Sequence, residues 1–322
     1  MSTSLKNYRD NALDDMLNYL WRQWSALGVP GYRGKTDECA VVDPEATLAL
    51  TCTFGRYDPR LFDEALNWLL QYERFINVQR LHTLFRKNIF SGKTTLAAIA
   101  ATLQGKNRRS RWRLFRKFAE TNDTTHPFFL LPSGKNVPVG TVHDPIFERL
   151  GWQRDLLQER KHSIFRAHGA GSLLLRMRAL LGVNARCEIL LYLMIHTTGY
   201  PSEIAAETHY AQKTVHDALN DMVISGYLSS KRKRRERLCR VNGDQLPTAL
   251  LDAVEAPTWI NWPVMLGALE TAWCSLDTLA AAETEEELQR SCVRDIAETL
   301  VDTLYSKRNL PTLTAPDPRS LP

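Results

Sequence analysis

The sequence predicts a mainly helical protein of more than one domain, with one small β-hairpin in its second half. The first observation is the size and composition: 322 residues, 44% of them apolar, exceed one small module and can fill several cores. The second is the helical spacing of apolar residues over most of the chain, as in Leu61, Leu66 and Leu69. The third is the recurrence of helix-start signals, such as the Asp-Pro pairs at 43–44 and 58–59.

Residues 1–125 are predicted to form a helical N-terminal domain. Its helices are expected over 5–27, 45–54, 60–75, 76–87, 94–103 and 110–120. The last helix carries a basic run, because residues 106–117 contain seven basic side chains and no acidic one. The apolar segment ahead of this run and the Arg-rich helix together suggest a degenerate helix-turn-helix.

The stretch 126–182 is predicted to connect this domain to the next one. Residues 126–145 are rich in Pro, Gly and Val, which is typical of a hairpin or an irregular linker, so a domain boundary is expected here. A helix over 156–181 is expected to follow. It leads into a module at 183–246.

The cysteine pattern and the hydropathy exclude several classes of protein. Six cysteines are scattered singly, without a CxxC pair or a histidine at metal-ligand spacing, so we expect reduced thiols, no metal and no cofactor. No run reaches the roughly 20 apolar residues of a membrane span, and the N-terminus lacks the apolar core of a signal peptide. The expected location is the cytoplasm, in association with the nucleoid.

Motifs that could carry catalysis are weak in this sequence. Segment 90–95 is similar to the end of a phosphate-binding loop, but Lys87 stands where a Walker motif needs Gly, so we interpret the segment as a helix start. His143, Asp144 and segment 159–162 offer acid–base groups without a nucleophile or a metal set. The sequence therefore does not predict an enzyme.

The module at 183–246 is predicted to begin with three helices. They are expected over 187–196, 203–208 and 212–225. Ser202 is a residue type that caps helices and precedes the second one, and residues 209–211 form the turn before the third. Leu219 and Met222 lie at core spacing on the third helix.

A basic hairpin is predicted to close the module. Gly226 fits the left-handed end of the third helix, and residues 227–228 start a strand that returns at 238–241. Between the two strands, residues 231–237 contain six basic side chains and one acidic one. We expect this run at the tip of the hairpin.

These residues resemble the winged helix-turn-helix transcriptional regulators of bacteria, nearest the broad MarR and ArsR class. The resemblance covers about 60 of the 322 residues. Ala205 corresponds to the small residue of the second helix, 214–215 to the opening of the recognition helix, and 225–228 to the entry of the wing. The family turn often contains Gly where this chain has His209 or Tyr210.

The resemblance implies that the third helix lies in a DNA major groove while the hairpin holds phosphates. The base-reading candidates share an exposed position on the third helix: Gln212, Lys213, Thr214, His216 and Asn220. The phosphate-binding candidates share the hairpin: Lys231, Arg232, Lys233, Arg234, Arg235 and Arg237. A second DNA contact is expected from the first basic run: Arg108, Arg109, Arg111, Arg113, Arg116 and Lys117.

The function expected from this resemblance is sequence-specific binding of double-stranded DNA by a transcriptional regulator, a repressor of its own operon. Two alternatives stay open. One is an antitoxin-like or phage-defence-associated interaction protein with secondary DNA binding, and the other is a plasmid-type replication initiator. The sequence does not identify a protein or small-molecule effector.

Residues 247–308 are predicted to form a C-terminal helical hairpin, followed by a tail at 309–322 that is expected to be disordered. Its second helix carries an apolar stripe at a spacing of four, formed by Leu288, Cys292, Ile296, Leu300 and Leu304. Nine acidic side chains between 268 and 302 favour a place away from DNA. We expect this hairpin to form a homodimer, and docking on the N-terminal domain is the alternative.

Overall fold

The computed structural model shows a mainly helical chain with small sheets. It describes residues 2–34, 40–105, 109–119, 125–131, 137–233, 236–243, 250–251, 257–282 and 285–306. Within these ranges, none of the helices combines the length and the apolar character needed to cross a membrane.

The helices of the N-terminal part lie close to their predicted bounds. They are α1 (Ser2–Leu27), α2 (Pro44–Phe54), α3 (Pro59–Tyr72), α4 (Val78–Arg86) and α5 (Lys93–Gln104). The predicted start signals act as caps: Asp43 accepts a hydrogen bond from Ala46 N at 3.0 Å, and Asp58 accepts one from Leu61 N at 2.9 Å. Each cap satisfies a backbone N–H that has no acceptor within its helix.

Residues 111–117 of the first basic run lie on a 3-10 helix (Arg111–Phe118), whereas an α-helix is predicted over 110–120. Trp112 and Phe115 are buried, and Phe118 packs on His82 with ring centroids 5.5 Å apart. These three aromatic residues recur every third position. A period of three matches the 3.0 residues per turn of a 3-10 helix and explains why the α-helical prediction is wrong.

The stretch 126–145, predicted as a hairpin or an irregular linker, forms no hairpin among its described residues 126–131 and 137–145. Instead, β1 (His126–Pro127) pairs in parallel with β2 (Trp152–Gln153), and α6 (Pro145–Glu148) lies between them. Phe128 follows β1 and contacts Phe147 and Phe62, at ring-centroid distances of 4.8 and 4.9 Å. Aromatic packing of this kind makes the segment part of the N-terminal core rather than a linker.

Residues 154–172 form an irregular strap along α3, although the sequence predicts one helix over 156–181. Side chains of α3 satisfy the strap's backbone: Asn67 Oδ1 accepts a hydrogen bond from Arg160 N at 2.8 Å, and Asn67 Nδ2 donates to Gln158 O at 3.2 Å. Only the C-terminal part of the predicted helix forms, as α7 (Leu173–Leu181). Tertiary hydrogen bonds override the local helical tendency here.

The next three helices and the hairpin follow the predicted order, and a short strand that was not predicted lies between the first two helices. They are α8 (Ala185–His196), β3 (Thr198–Gly199), α9 (Pro201–Thr208), α10 (Gln212–Ile224), β4 (Leu228–Lys233) and β5 (Glu236–Val241). The sheet is antiparallel with the order β3-β5-β4. The predicted cap differs, because Tyr200 is the N-cap of α9 and Ser202 lies inside the helix.

The C-terminal hairpin forms from α11 (Trp262–Ala281) and α12 (Glu286–Ser306). α11 packs into the N-terminal core, where Trp262, Leu266 and Trp273 are buried. α12 packs on α11 and leaves two large apolar side chains exposed, Leu288 at 55% and Val301 at 36%. The first helix of the hairpin is therefore docked on the N-terminal domain, and the second helix packs on the first.

The buried apolar side chains form two clusters that meet at α7. The first cluster joins α1–α5 with α11, and the second joins α8, α9, α10 and the β4–β5 hairpin. Leu175 of α7 belongs to the first cluster, whereas Leu173 and Met177 belong to the second. One helix thus contributes to both cores.

A buried ionic network joins the two clusters. Glu45, in the first turn of α2, accepts hydrogen bonds from Arg80 Nη1 at 2.9 Å and from Arg178 Nη1 at 2.7 Å. Arg80 also pairs with Asp43 at 2.5 Å, and Arg178 pairs with Glu188 of α8. All five side chains are at most 9% exposed. Removal of one partner would leave opposite charges buried and uncompensated.

The network favours the charged forms of Asp43 and Arg178 despite their burial. Burial opposes the charged form of Asp43, but the adjacent Arg80 guanidinium outweighs it and holds the pKa of Asp43 below its ordinary value. Burial likewise opposes the charge of Arg178, but Glu45 and Glu188 hold its pKa well above the ordinary value. Folding therefore stabilises the charged forms of these groups together.

Arg178→Met should lower the free energy of unfolding by about 3 to 5 kcal/mol, because Glu188 would stay buried without its cation and Glu45 would keep only Arg80. Arg186→Met is the matched control, since Arg186 pairs with Asp221 at the surface, where an ion pair contributes about 0 to 1 kcal/mol. Urea denaturation followed by circular dichroism measures both variants. Equal losses of stability would contradict the role given to the network.

Candidate nucleic-acid interface

α10 exposes its polar side chains and buries its apolar ones. Its N-terminal half exposes four of the predicted site residues, Gln212, Lys213, Thr214 and His216. The opposite face is buried: Val215, Ala218, Leu219 and Met222. Amide, ammonium, hydroxyl and imidazole groups therefore lie side by side on one accessible face. Groups of this kind can pair with base edges in a major groove.

Asn220 lies on the same helix but is held by two neighbours. Its Oδ1 accepts a hydrogen bond from Arg237 Nη1 at 2.5 Å, and its Nδ2 lies 3.0 Å from His216 Nδ1. The structure thus brings together candidates from α10 and from the hairpin. Contact of Asn220 with a base would require the exchange of one of these hydrogen bonds.

The strand register divides the cations of the hairpin between two faces. Arg232 and Arg237 stand opposite each other in the register of β4 and β5. They share a face with the buried Leu228 and Cys239, because side chains alternate along a strand. This inner face carries the core contacts of the hairpin, which explains why Arg237 reaches Asn220.

The outer face of the hairpin carries further cations. Lys231 and Arg240 are exposed and lie on this face by register. Lys233 ends β4, and Arg234 and Arg235, which the sequence analysis expects at the tip, lie outside the described residues. Arg240 is not among the predicted site residues. The alternation of side chains along the return strand could have identified it.

The basic 3-10 helix carries the second predicted contact. Its outer side exposes Arg113, Arg116 and Lys117. Arg111 instead pairs with Glu73, with Nη2 and Oε2 3.0 Å apart, so its charge is partly neutralised. Arg109 is exposed, and Arg108 lies outside the described residues. The exposed cations form a surface separate from α10 and the hairpin.

The turn between α9 and α10 contains a residue in a left-handed conformation. His209 has φ of 60° and ψ of 25°, a region that Gly adopts readily and most other residues avoid. The side chain is buried, and its Nε2 lies 2.9 Å from Asn261 Oδ1, just ahead of α11. This hydrogen bond ties the turn to the start of α11 and offsets the cost of the backbone conformation.

α4 holds the turn from another side. Arg80 Nε donates a hydrogen bond to Thr208 O at 2.9 Å, and Asn77 Nδ2 donates one to Tyr210 Oη at 2.7 Å. Neither Arg80 nor Asn77 is among the site residues predicted from the sequence. The only sequence signal was Arg80 itself, a basic residue at a core position of a strongly amphipathic helix. Because Arg80 also belongs to the ionic network, the turn is fixed relative to the N-terminal core.

The segment 90–95 is a helix start, as the sequence indicates, because α5 begins at Lys93. The Glu270 carboxylate accepts hydrogen bonds from Ser91 N at 3.1 Å and from Ser91 Oγ at 2.9 Å. An internal carboxylate thus lies beside the helix N-terminus, where a phosphate-binding loop would hold its anion. In the part of the chain that the structure describes, no three His, Cys, Asp or Glu side chains are grouped to hold a metal ion.

The free energy of unfolding should fall as the pH drops from about 6.5 to about 4. Burial, with a further contribution from the charge of Arg80, lowers the pKa of His209 from 6.5 to about 4. In this window the unfolded chain binds a proton that the folded chain excludes, which costs up to about 3 kcal/mol of stability. His209→Asn should flatten the profile, because Asn tolerates the left-handed conformation and does not titrate.

Urea denaturation at a series of pH values tests this expectation. The control is His216→Asn, which removes an exposed histidine and should leave the profile unchanged. A residual slope from His82 is expected in all variants, because burial lowers the pKa of His82 as well. Parallel profiles for His209→Asn and the parent protein would rule out a buried neutral His209.

Comparison with known proteins finds no matching family model, no matching curated protein and no matching solved structure.

Proposed function

We propose that residues 183–243 form a winged helix-turn-helix that binds double-stranded DNA, and that the protein is a sequence-specific transcriptional regulator, a repressor of its own operon. The observation that carries the proposal is the sheet order β3-β5-β4 around α9 and α10. Along the chain, the elements are helix α8, short strand β3, helices α9 and α10, and the β4–β5 hairpin. β3 pairs with the returning strand β5. The three helices and the hairpin follow the order that the resemblance implies, and β3 is an addition that was not predicted.

α10 serves as the recognition helix in this proposal. Its 13 residues span about 20 Å, and one α-helix fits the major groove. Gln212, Lys213 and Thr214 lie in the first turn, where the positive end of the helix dipole also favours a phosphate oxygen. His216 lies one turn further along the same accessible face. The buried side of α10 packs on α8, which fixes the orientation of these groups.

The β4–β5 hairpin serves as the wing. Lys231, Arg232 and Arg240 present exposed positive charge, which attracts any duplex regardless of its sequence. The hydrogen bond between Arg237 and Asn220 couples the wing to α10 in the unbound protein. On DNA, either group can exchange this bond for a base or a phosphate at little cost, since one polar contact replaces another.

α12 serves as the dimer interface in this proposal. It packs on α11 and leaves Leu288 and Val301 exposed. Two-fold association would place two copies of α10 on a pseudo-palindromic site, with half-sites about one helical turn of DNA apart. The proposal includes no cofactor, no metal and no catalytic step.

Lys213→Ala should weaken binding to a duplex selected from random DNA by about 1 to 3 kcal/mol and weaken binding to random duplex less. Lys231→Gln with Arg232→Gln should weaken binding to both duplexes and make the salt dependence less steep, because fewer counterions are released. Fluorescence anisotropy over a range of salt concentrations measures both effects.

The matched control is Lys161→Gln with Arg166→Gln, which removes two exposed charges from the strap. It should change neither the affinity nor the salt dependence. Equal losses on selected and random DNA for Lys213→Ala would contradict base contact by α10. Failure of the selection to enrich any sequence would contradict sequence-specific binding.

Leu288→Glu with Val301→Glu should convert the proposed homodimer into a monomer, because two charges would be buried at the interface without partners. Light scattering on the full chain measures the mass. Ile224→Glu is the control, since Ile224 is 85% exposed on a different element and should leave the dimer intact. A monomeric parent protein, or a dimer that survives the double change, would show that α12 is not the interface.

A further inference from the structure

A second cationic surface lies on α4 and the basic 3-10 helix. Its members are exposed and, among the described residues, form no ion pair within 4.0 Å: Arg86, Lys87, Arg113, Arg116 and Lys117. We refer to these five residues as the lateral cationic surface. Five positive charges without neutralising partners strongly favour an anionic ligand.

The two elements of this surface are packed together. Phe118 of the 3-10 helix stacks on His82 of α4, with ring centroids 5.5 Å apart and planes 9° apart, and it also contacts Phe85 at 6.2 Å. Burial lowers the pKa of His82, and the charges of Lys117 and Arg86 lower it further. Cations from both elements therefore lie near the same imidazole ring.

The lateral cationic surface is also fixed relative to the turn that leads into α10. Arg80 of α4 donates its hydrogen bond to Thr208 O at 2.9 Å, and Lys87 follows seven positions later, about 10 Å along the helix. Asn88 and His209 border the same groove, so the end of α4 lies beside the turn. The charge of Lys87 contributes to the lowered pKa of His209, in agreement with this proximity.

We propose that the lateral cationic surface binds the phosphate backbone of double-stranded DNA, on the flank of α10 where the turn lies. This inference rests on the proposed function and extends it. Arg86 and Lys87, at the end of α4, add to the cations of the 3-10 helix, whereas the sequence alone assigns the second DNA contact to a single helix. The contact lengthens the footprint and contributes affinity without base recognition.

Two double variants test the proposal: Arg86→Gln with Lys87→Gln, and Arg116→Gln with Lys117→Gln. Each should lower the slope of log K against log salt by up to about 2 and should shorten the protected segment on one flank in hydroxyl-radical footprinting. The selected sequence should stay the same. The thermal midpoint of each variant checks that exposed substitutions leave the fold intact, and Lys161→Gln with Arg166→Gln is again the control.

An unchanged slope and footprint in both double variants, together with weaker binding by Lys231→Gln with Arg232→Gln, would overturn this inference and leave the proposed function standing. An equal change of slope in the control would overturn it as well, because net charge would then explain the effect. Failure of the full chain to bind any duplex would overturn both proposals.

Discussion

Five charged side chains without access to water determine how the two halves of this protein fit together. Three carboxylates and two guanidinium groups share hydrogen bonds between α2, α4, α7 and α8: Asp43, Glu45, Arg80, Arg178 and Glu188. Such a network contributes little net stability compared with apolar packing, but it strongly disfavours any arrangement that separates one member from the rest. In the observed arrangement of the two hydrophobic clusters, each of the five charges has an opposite charge beside it. Because α7 also contributes apolar residues to both clusters, packing and electrostatics favour the same arrangement.

The turn before α10 depends on the same network. Arg80 holds Thr208 O from the side of α4, and Asn261 holds His209 from the side of α11. Under the proposed function, the recognition helix, the wing and the lateral cationic surface therefore approach DNA as one rigid unit. A rigid unit loses little conformational entropy on binding, so contacts that are individually weak can add to a useful affinity. It also fixes the distance between base contacts and flanking phosphate contacts, which a flexible linker would not do.

The module from α8 to β5 could be predicted from the sequence because its signals are local: helical periodicity, a glycine after α10 and a basic run between two strands. What the sequence analysis missed depends on distant partners. Glu45 and Arg178 are 133 positions apart, so no window of residues shows that they pair. The strap does not form its predicted helix, because side chains of α3 bind its backbone. β3 is too short to show a periodic pattern. The exposed face of α10 was predictable, whereas the bond between Asn220 and Arg237 required the register of the hairpin.

The central claim is that α10 and the β4–β5 hairpin together contact duplex DNA. The most direct measurement is photochemical crosslinking of the full chain to a duplex enriched by selection from random DNA, followed by mass spectrometry of the crosslinked peptides. Crosslinks are expected within 212–220 to bases of the enriched sequence and within 228–241 to the same duplex. Unlabelled duplex of that sequence should suppress both. Crosslinks confined to other parts of the chain, or crosslinks that random DNA suppresses equally well, would contradict the central claim.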